Sequence, residues 1–101
     1  TDDMIKIKGV NIYPGQIDHV LRHTPGAGSE YQIILTRRQG KDNMLLKVEG
    51  EAGFDPAQVA EGCRRNIKAR IGVLVEVEVV PCGGLPRSEK KSKRVYDLRE
   101  A

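Results

Sequence analysis

The sequence predicts a small α+β domain of the ferredoxin-like β-α-β-β-α-β plan: a small antiparallel or mixed sheet with two helices on one face, an N-terminal hairpin, and a basic C-terminal segment. Three observations carry this prediction. Two stretches show apolar residues at helical spacing behind helix-start signals, a long β-hairpin separates them, and the alternating run "VLVEVEVV" follows the second. At 101 residues and 11.2 kDa the chain can build one modest core and not two, so residues 1–101 are expected to form a single domain.

The first element is read from "MIKIKGVNIYP", where Ile5 and Ile7 alternate with Lys6 and Lys8 before Gly9, Val10 and Ile12. This predicts a short hairpin turning near Gly9. Pro14 suits the first turn of a helix, because its missing N–H has no partner there in any case. Ile17, Val20 and Leu21 then form an apolar stripe on a helix of about ten residues, which stops before "TPGAGS".

"YQIILTRRQGKDNMLLKVEG" reads as two strands joined by a tight turn, with Ile33 and Leu35 on one face and Met44, Leu46 and Val48 repeating at period two. The second helix has the clearer start, with Asp55 as cap, Pro56 at the first position, and Gln58 where a reciprocal capping contact would form. Val59, Cys63, Ile67 and Ile71 make its buried face, Arg64, Arg65 and Lys68 lie outside it, and Gly72 supplies a left-handed end. In the last strand Val73, Val75, Val77 and Val79 oppose Glu76 and Glu78, the pattern of a sheet with one face covered.

Composition narrows the function classes. With 39% hydrophobic and 31% charged residues the chain is neither a disordered tail nor a membrane protein, and no apolar run approaches the ~20 residues that span a bilayer. With no secretory leader pattern, the expectation is a cytoplasmic protein whose Cys63 and Cys82 are reduced thiols. His19 and His23 have metal-ligand spacing but no third ligand nearby, so no metal site is expected. The opening "TDDM" lacks an initiator methionine, which suggests a fragment of something longer.

Charge is placed unevenly. Six basic residues against three acidic ones lie between Leu85 and Ala101, so the whole net charge of +3 sits in that segment. The densest part is "SEKKSKRV" at residues 88–95, after the turn-like "PCGGLPR". Nucleic-acid binders spread basic residues over a face and interleave aromatics, whereas this excess is local and points to one anionic target such as a phosphate-bearing ligand.

The two outlying segments, "TDDMIKIKGVNIYPGQID" at 1–18 and "LPRSEKKSKRVYDLR" at 85–99, together resemble the C-terminal domain of the adenylate-forming acyl-CoA synthetase superfamily. Within it the similarity is closest to the phenylacetate–CoA ligase family and extends over essentially the whole chain. The resemblance implies a mobile lid whose partner is a larger N-terminal adenylating domain absent from this sequence. It also implies ATP, Mg²⁺ and coenzyme A as substrates and cofactor of the full-length enzyme, none held tightly by this domain alone, and an aryl acid such as phenylacetate as the substrate. The full-length enzyme is compatible with an oligomer, and neither nucleic acid nor membrane is an expected partner.

Residue by residue, the resemblance puts Asp2 at the hinge about which the small domain turns between its two poses, and Gly9 at the pantetheine tunnel of the second pose. A residue without Cβ lets a thin ligand pass close to backbone. The catalytic lysine of the family directly follows a glycine. Here Lys90 stands in the place of that glycine and Lys91 aligns with the catalytic residue, with Lys90 and Lys93 as competing amines. Lys90, Lys93 and Arg94 are further implied as contacts to CoA or nucleotide phosphates.

Two readings from other classes stay open at this stage: an RNA-binding module, for which Tyr31 is the one aromatic in the predicted hairpin, and a small-effector regulatory domain of the same element order.

Overall fold

A computed structural model describes residues 4–86 and 94–99. Eight elements follow in order: β1 (Ile5–Ile7), β2 (Val10–Ile12), α1 (Pro14–Arg22), β3 (Ala27–Arg38), β4 (Lys41–Gly50), α2 (Pro56–Arg70), β5 (Glu76–Val80) and β6 (Val95–Asp97). The strands β1 and β2 form their own antiparallel hairpin, and the others form a four-stranded mixed sheet ordered β5-β4-β3-β6. The central pair β3–β4 is antiparallel, while β5 and β6 flank it in parallel.

Both two-residue turns fit their chemistry. Lys8 and Gly9 (φ +52° and +77°) close β1–β2, and Gln39 and Gly40 (φ +53° and +77°) close β3–β4. Paired positive φ values match the right-handed twist of the strands they join, and glycine at the second position meets no Cβ penalty.

The helices begin as their sequences require, with one exchange of roles. Asp55 caps α2 by accepting the Ala57 N–H at 3.2 Å, without the reciprocal Gln58 contact that the spacing predicts. The reciprocal half appears instead at α1, where the Tyr13 N–H donates to Gln16 Oε1 at 2.7 Å ahead of Pro14. At the far end of α2, Gly72 adopts φ +91° and its N–H reaches the carbonyls of Ile67 and Lys68.

Period-two faces of the sheet and the helical stripes meet in one core. Ile33, Leu35, Met44, Leu46 and Val48 from β3–β4 pack against Ile17, Val20 and Leu21 of α1 and Val59, Cys63 and Ile67 of α2. Ile5, Ile7 and Ile12 join the same cluster, so the N-terminal hairpin is docked on the domain rather than projecting from it. Truncating a fully buried member such as Ile33 to Ala would cost about 2–5 kcal/mol. Cys63 is fully buried here, and burial pushes its thiol pKa up to about 11, which makes it a small core residue and not a nucleophile.

The α+β plan with both helices on one face is the architecture observed. Two details differ from expectation. β5 starts only at Glu76, with Val73 and Val75 buried in the lead-in, and the end of the basic segment forms a sixth strand, β6, along the edge of β3. Three residues are too few for a periodic signal, and β6 exists only because β3 offers an open edge, with register Ile33↔Val95 to Leu35↔Asp97.

Candidate functional site at the hairpin end of the sheet

The turn of the N-terminal hairpin stands at the rim of an open concavity of about 590 Å³, whose lining includes Lys6, Gly9, Arg37, Asp42, Asp97 and Arg99. Four elements meet here: β1–β2, the end of β3, the start of β4, and the residues after β6. What joins them is Arg99. Its Nη1 donates to the Lys6 carbonyl at 2.7 Å and to Asp42 Oδ2 at 2.8 Å, while its Nε donates to Asp97 Oδ1 at 2.9 Å. Arg37 completes the chain of charges, its Nε donating to the other oxygen of Asp42 at 2.8 Å.

The planar fork of one guanidinium therefore spans three segments far apart in sequence, a task a point-like ammonium does less well. With two guanidinium groups on it, Arg37 first, the Asp42 carboxyl is held below its ordinary range. Arg99 lowers Asp97 in the same way, and the Arg99 pKa rises in return, chiefly through Asp97. Lys8 anchors the other side of the hairpin through a 3.2 Å bond from its Nζ to the Leu74 carbonyl. Four cationic side chains, Lys6, Lys8, Arg37 and Arg99, line the concavity against two acidic ones, which leaves it net positive.

Gly9 has a positive φ, and apart from its chain neighbours no atom lies within 4 Å of the point where its Cβ would stand, so the space beside its backbone is open. Arg94 has other engagements. Its guanidinium lies 4.3 Å from the centroid of the Tyr31 ring, bonds the Tyr31 carbonyl at 3.2 Å, and pairs with Glu30 at 3.4 Å. These contacts tie Arg94 to β3 at the start of β6. Asp2, Lys90, Lys91 and Lys93 lie outside the described residues.

Sequence reasoning missed the Arg37–Asp42–Arg99–Asp97 network, since Arg99 entered it only as part of a basic tail. The available signal was "VYDLR", where an acid and an arginine two apart on an extended segment share one side. His19 and His23 are an exposed pair with ring centroids 4.4 Å apart. Among the described residues no three His, Cys, Asp or Glu side chains gather at one point.

A domain of two helices on a four-stranded mixed sheet, with a glycine-tipped hairpin and a basic segment at opposite ends of the chain, defines a class. The AMP-binding enzyme C-terminal domain family model matches residues 9–99, and the chain belongs to that family. It is 35% identical over 98% of its length to phenylacetate-coenzyme A ligase of Escherichia coli (strain K12), of which it covers 24%. It is 37% identical over 99% of its length to the Thermus thermophilus phenylacetate-coenzyme A ligase, of which it covers 27%. The chain thus spans about a quarter of the length of the curated relatives it matches.

Among solved structures, a domain of phenylacetate-coenzyme A ligase from Bacteroides vulgatus superposes with a TM-score of 0.84 at 38% identity, covering 98% of this chain and 95% of that one. A 2-hydroxyisobutyryl-CoA ligase in complex with 2-HIB-AMP and CoA, in its thioesterification state, gives 0.87 at 34% identity, with 98% of this chain and 22% of that one covered.

Proposed function

We propose that this chain is the mobile C-terminal domain of an ATP-dependent aryl-acid–CoA ligase acting on phenylacetate or a closely similar acid in the cytoplasm, and that it serves two half-reactions from two poses. The observation that carries the reading is the Gly9 turn, open beside its backbone and set by Arg99 at the rim of a net-positive concavity. Likeness over the whole chain to phenylacetate-coenzyme A ligases supports it.

In the first half-reaction a carboxylate oxygen of the acid attacks the α-phosphorus of ATP and pyrophosphate leaves. Two anions approach while charge builds on phosphorus, so a fixed ammonium at that point lowers the barrier, and Lys91 is the residue assigned to supply it. Lysine suits the role as a compact charge on a long stem. In the second half-reaction the thiol of CoA attacks the acyl carbonyl, the acyl–phosphate bond breaks and AMP leaves. Gly9 leaves a lane for the pantetheine arm, and Lys6 and Lys8 favour an anionic ligand in the concavity. Asp2 is the assigned hinge between poses, and the acid and nucleotide pockets belong to the N-terminal domain, so this domain alone is inactive.

The test is a Lys91→Ala variant of the full-length ligase with the half-reactions assayed apart. Acid-dependent pyrophosphate exchange should fall about 10²–10³-fold, while thioester formation from supplied acyl-adenylate persists. Equal loss in both halves overturns the assignment. Damage from Lys90→Ala or Lys93→Ala with Lys91→Ala harmless moves the catalytic amine to that residue.

A further inference from the structure

The face of the sheet away from the helices carries one buried charge. On β4 the side chains of Met44, Leu46 and Val48 enter the core, so by alternation those of Leu45, Lys47 and Glu49 point to the other face. Leu45 and Lys47 are half-exposed there, but Glu49 retains only 2% exposure. It is the one charged side chain buried among the described residues.

The chain leaving β5 meets it. Pro81 to Gly84 form a tight turn, closed by the Gly84 N–H donating to the Pro81 carbonyl at 2.8 Å, with Gly83 at φ +87°. Leu85 follows at 8% exposure, buried apart from the main core, and its N–H donates to Glu49 Oε2 at 3.0 Å. The surroundings leave no slack: a Cβ on Gly28 would lie 2.9 Å from the Glu49 carbonyl oxygen, and one on Gly84 would lie 2.8 Å from that of Pro81.

Burying a carboxylate costs several kcal/mol before its partners compensate, and an apolar side chain at position 49 would cover Leu85 equally well. What the carboxylate adds is direction, because a charged acceptor on a backbone N–H is roughly twice as strong as a neutral one and fixes where that backbone points. Leu85 is the first residue of "LPRSEKKSKRV", and the other end of the stretch is also tied, since the Ile33 N–H donates to the Arg94 carbonyl at 2.7 Å.

We infer that Glu49 is a positioning residue for the adenylation half-reaction: by holding the backbone at Leu85 it gives the lysine-bearing segment a fixed stem from which Lys91 is presented. This rests on the assignment of Lys91 made above.

Glu49→Gln keeps a neutral acceptor, whereas Glu49→Met removes the acceptor at similar volume. In the full-length ligase adenylation should fall about threefold for Gln and tenfold or more for Met, with thioester formation from supplied acyl-adenylate within about twofold of the parent. The Met change should add nothing in a Lys91→Ala background. A matched fall in both half-reactions, no fall in either, or additivity with Lys91→Ala would overturn the inference. Trypsin cleavage after Arg87, Lys90, Lys91 or Lys93 reads the stem without catalysis and should quicken in the order parent, Gln, Met; unchanged cleavage also counts against the inference. If Lys91→Ala leaves adenylation intact while cleavage quickens, the assignment of Lys91 fails and the Glu49 contact stands.

Discussion

The hairpin end of the sheet and its Glu49 face both fasten a segment distant in sequence, but by opposite physical means. At the hairpin end Arg99, 13% exposed, shares its donors among Asp42, Asp97 and the Lys6 carbonyl, and two of those three partners are charges that water can reach. At the other place a carboxylate of 2% exposure holds a backbone N–H with an aliphatic side chain buried beside it. A partly exposed network of several ties is adjustable and screened by salt; a buried tie is insulated and unforgiving of substitution. The contrast fits the proposed division of labour, in which the hairpin must accommodate an arriving CoA and the basic segment must present one charge at one point.

The sharpest way to break this comparison is at Gly9. Leucine there faces open space in the free domain, so its stability cost is confined to the positive φ, about 1–2 kcal/mol. Yet it should depress thioester formation at least tenfold while leaving pyrophosphate exchange near the parent rate, because it fills the lane assigned to pantetheine. Separate assays of the two steps decide this, and equal effects on both would erase the distinction between the two regions.

Arg99→Met comes next. Removing the fork should leave the core intact but release the hairpin, seen as roughly tenfold faster amide exchange in β1–β2 with β3–β4 protection unchanged. Raising salt toward 1 M should move the parent part of the way in the same direction, while exchange at Leu85, tied to buried Glu49, stays constant.

The smallest effect is on acid stability. Asp42 and Asp97 have folded pKa values below their ordinary value of 3.8, so the stability they contribute is fully present above that value and is lost as pH falls through the lower folded values. Denaturation midpoints should therefore be flat from neutrality to about pH 5 and decline below about pH 4, with a shallower decline in Arg99→Met. A decline of equal slope in that variant would show that the network is not what titrates.

How much of this was legible beforehand depends on the range of each interaction. The turn at Gly9, the Pro14 and Pro56 helix starts and the stripes through Ile17, Val20, Leu21 and through Val59, Cys63, Ile67 are local patterns, and each appears in the structure where it was read. The placement of Gly9 in a left-handed turn was likewise readable from its neighbours. The engagement of Arg94 with Tyr31 and Glu30 was not, because those partners lie more than 60 residues away. Glu49 looked like one more surface acid in "LLKVEG", for nothing in the string says that Leu85 will come to rest on it.

Sequence alone determined where the two helices and the strands of the two hairpins form, which side of each is apolar, and where the lysines are concentrated, since these follow from residue type and spacing within a turn or two of chain. Only the tertiary structure decided that β6 closes the edge of β3, that Arg99 binds the hairpin to the sheet, and that one carboxylate is buried against the stem of the basic segment. Those outcomes depend on which backbone edges and charges are brought together across distances of 36 to 93 residues, where no local pattern records the partner.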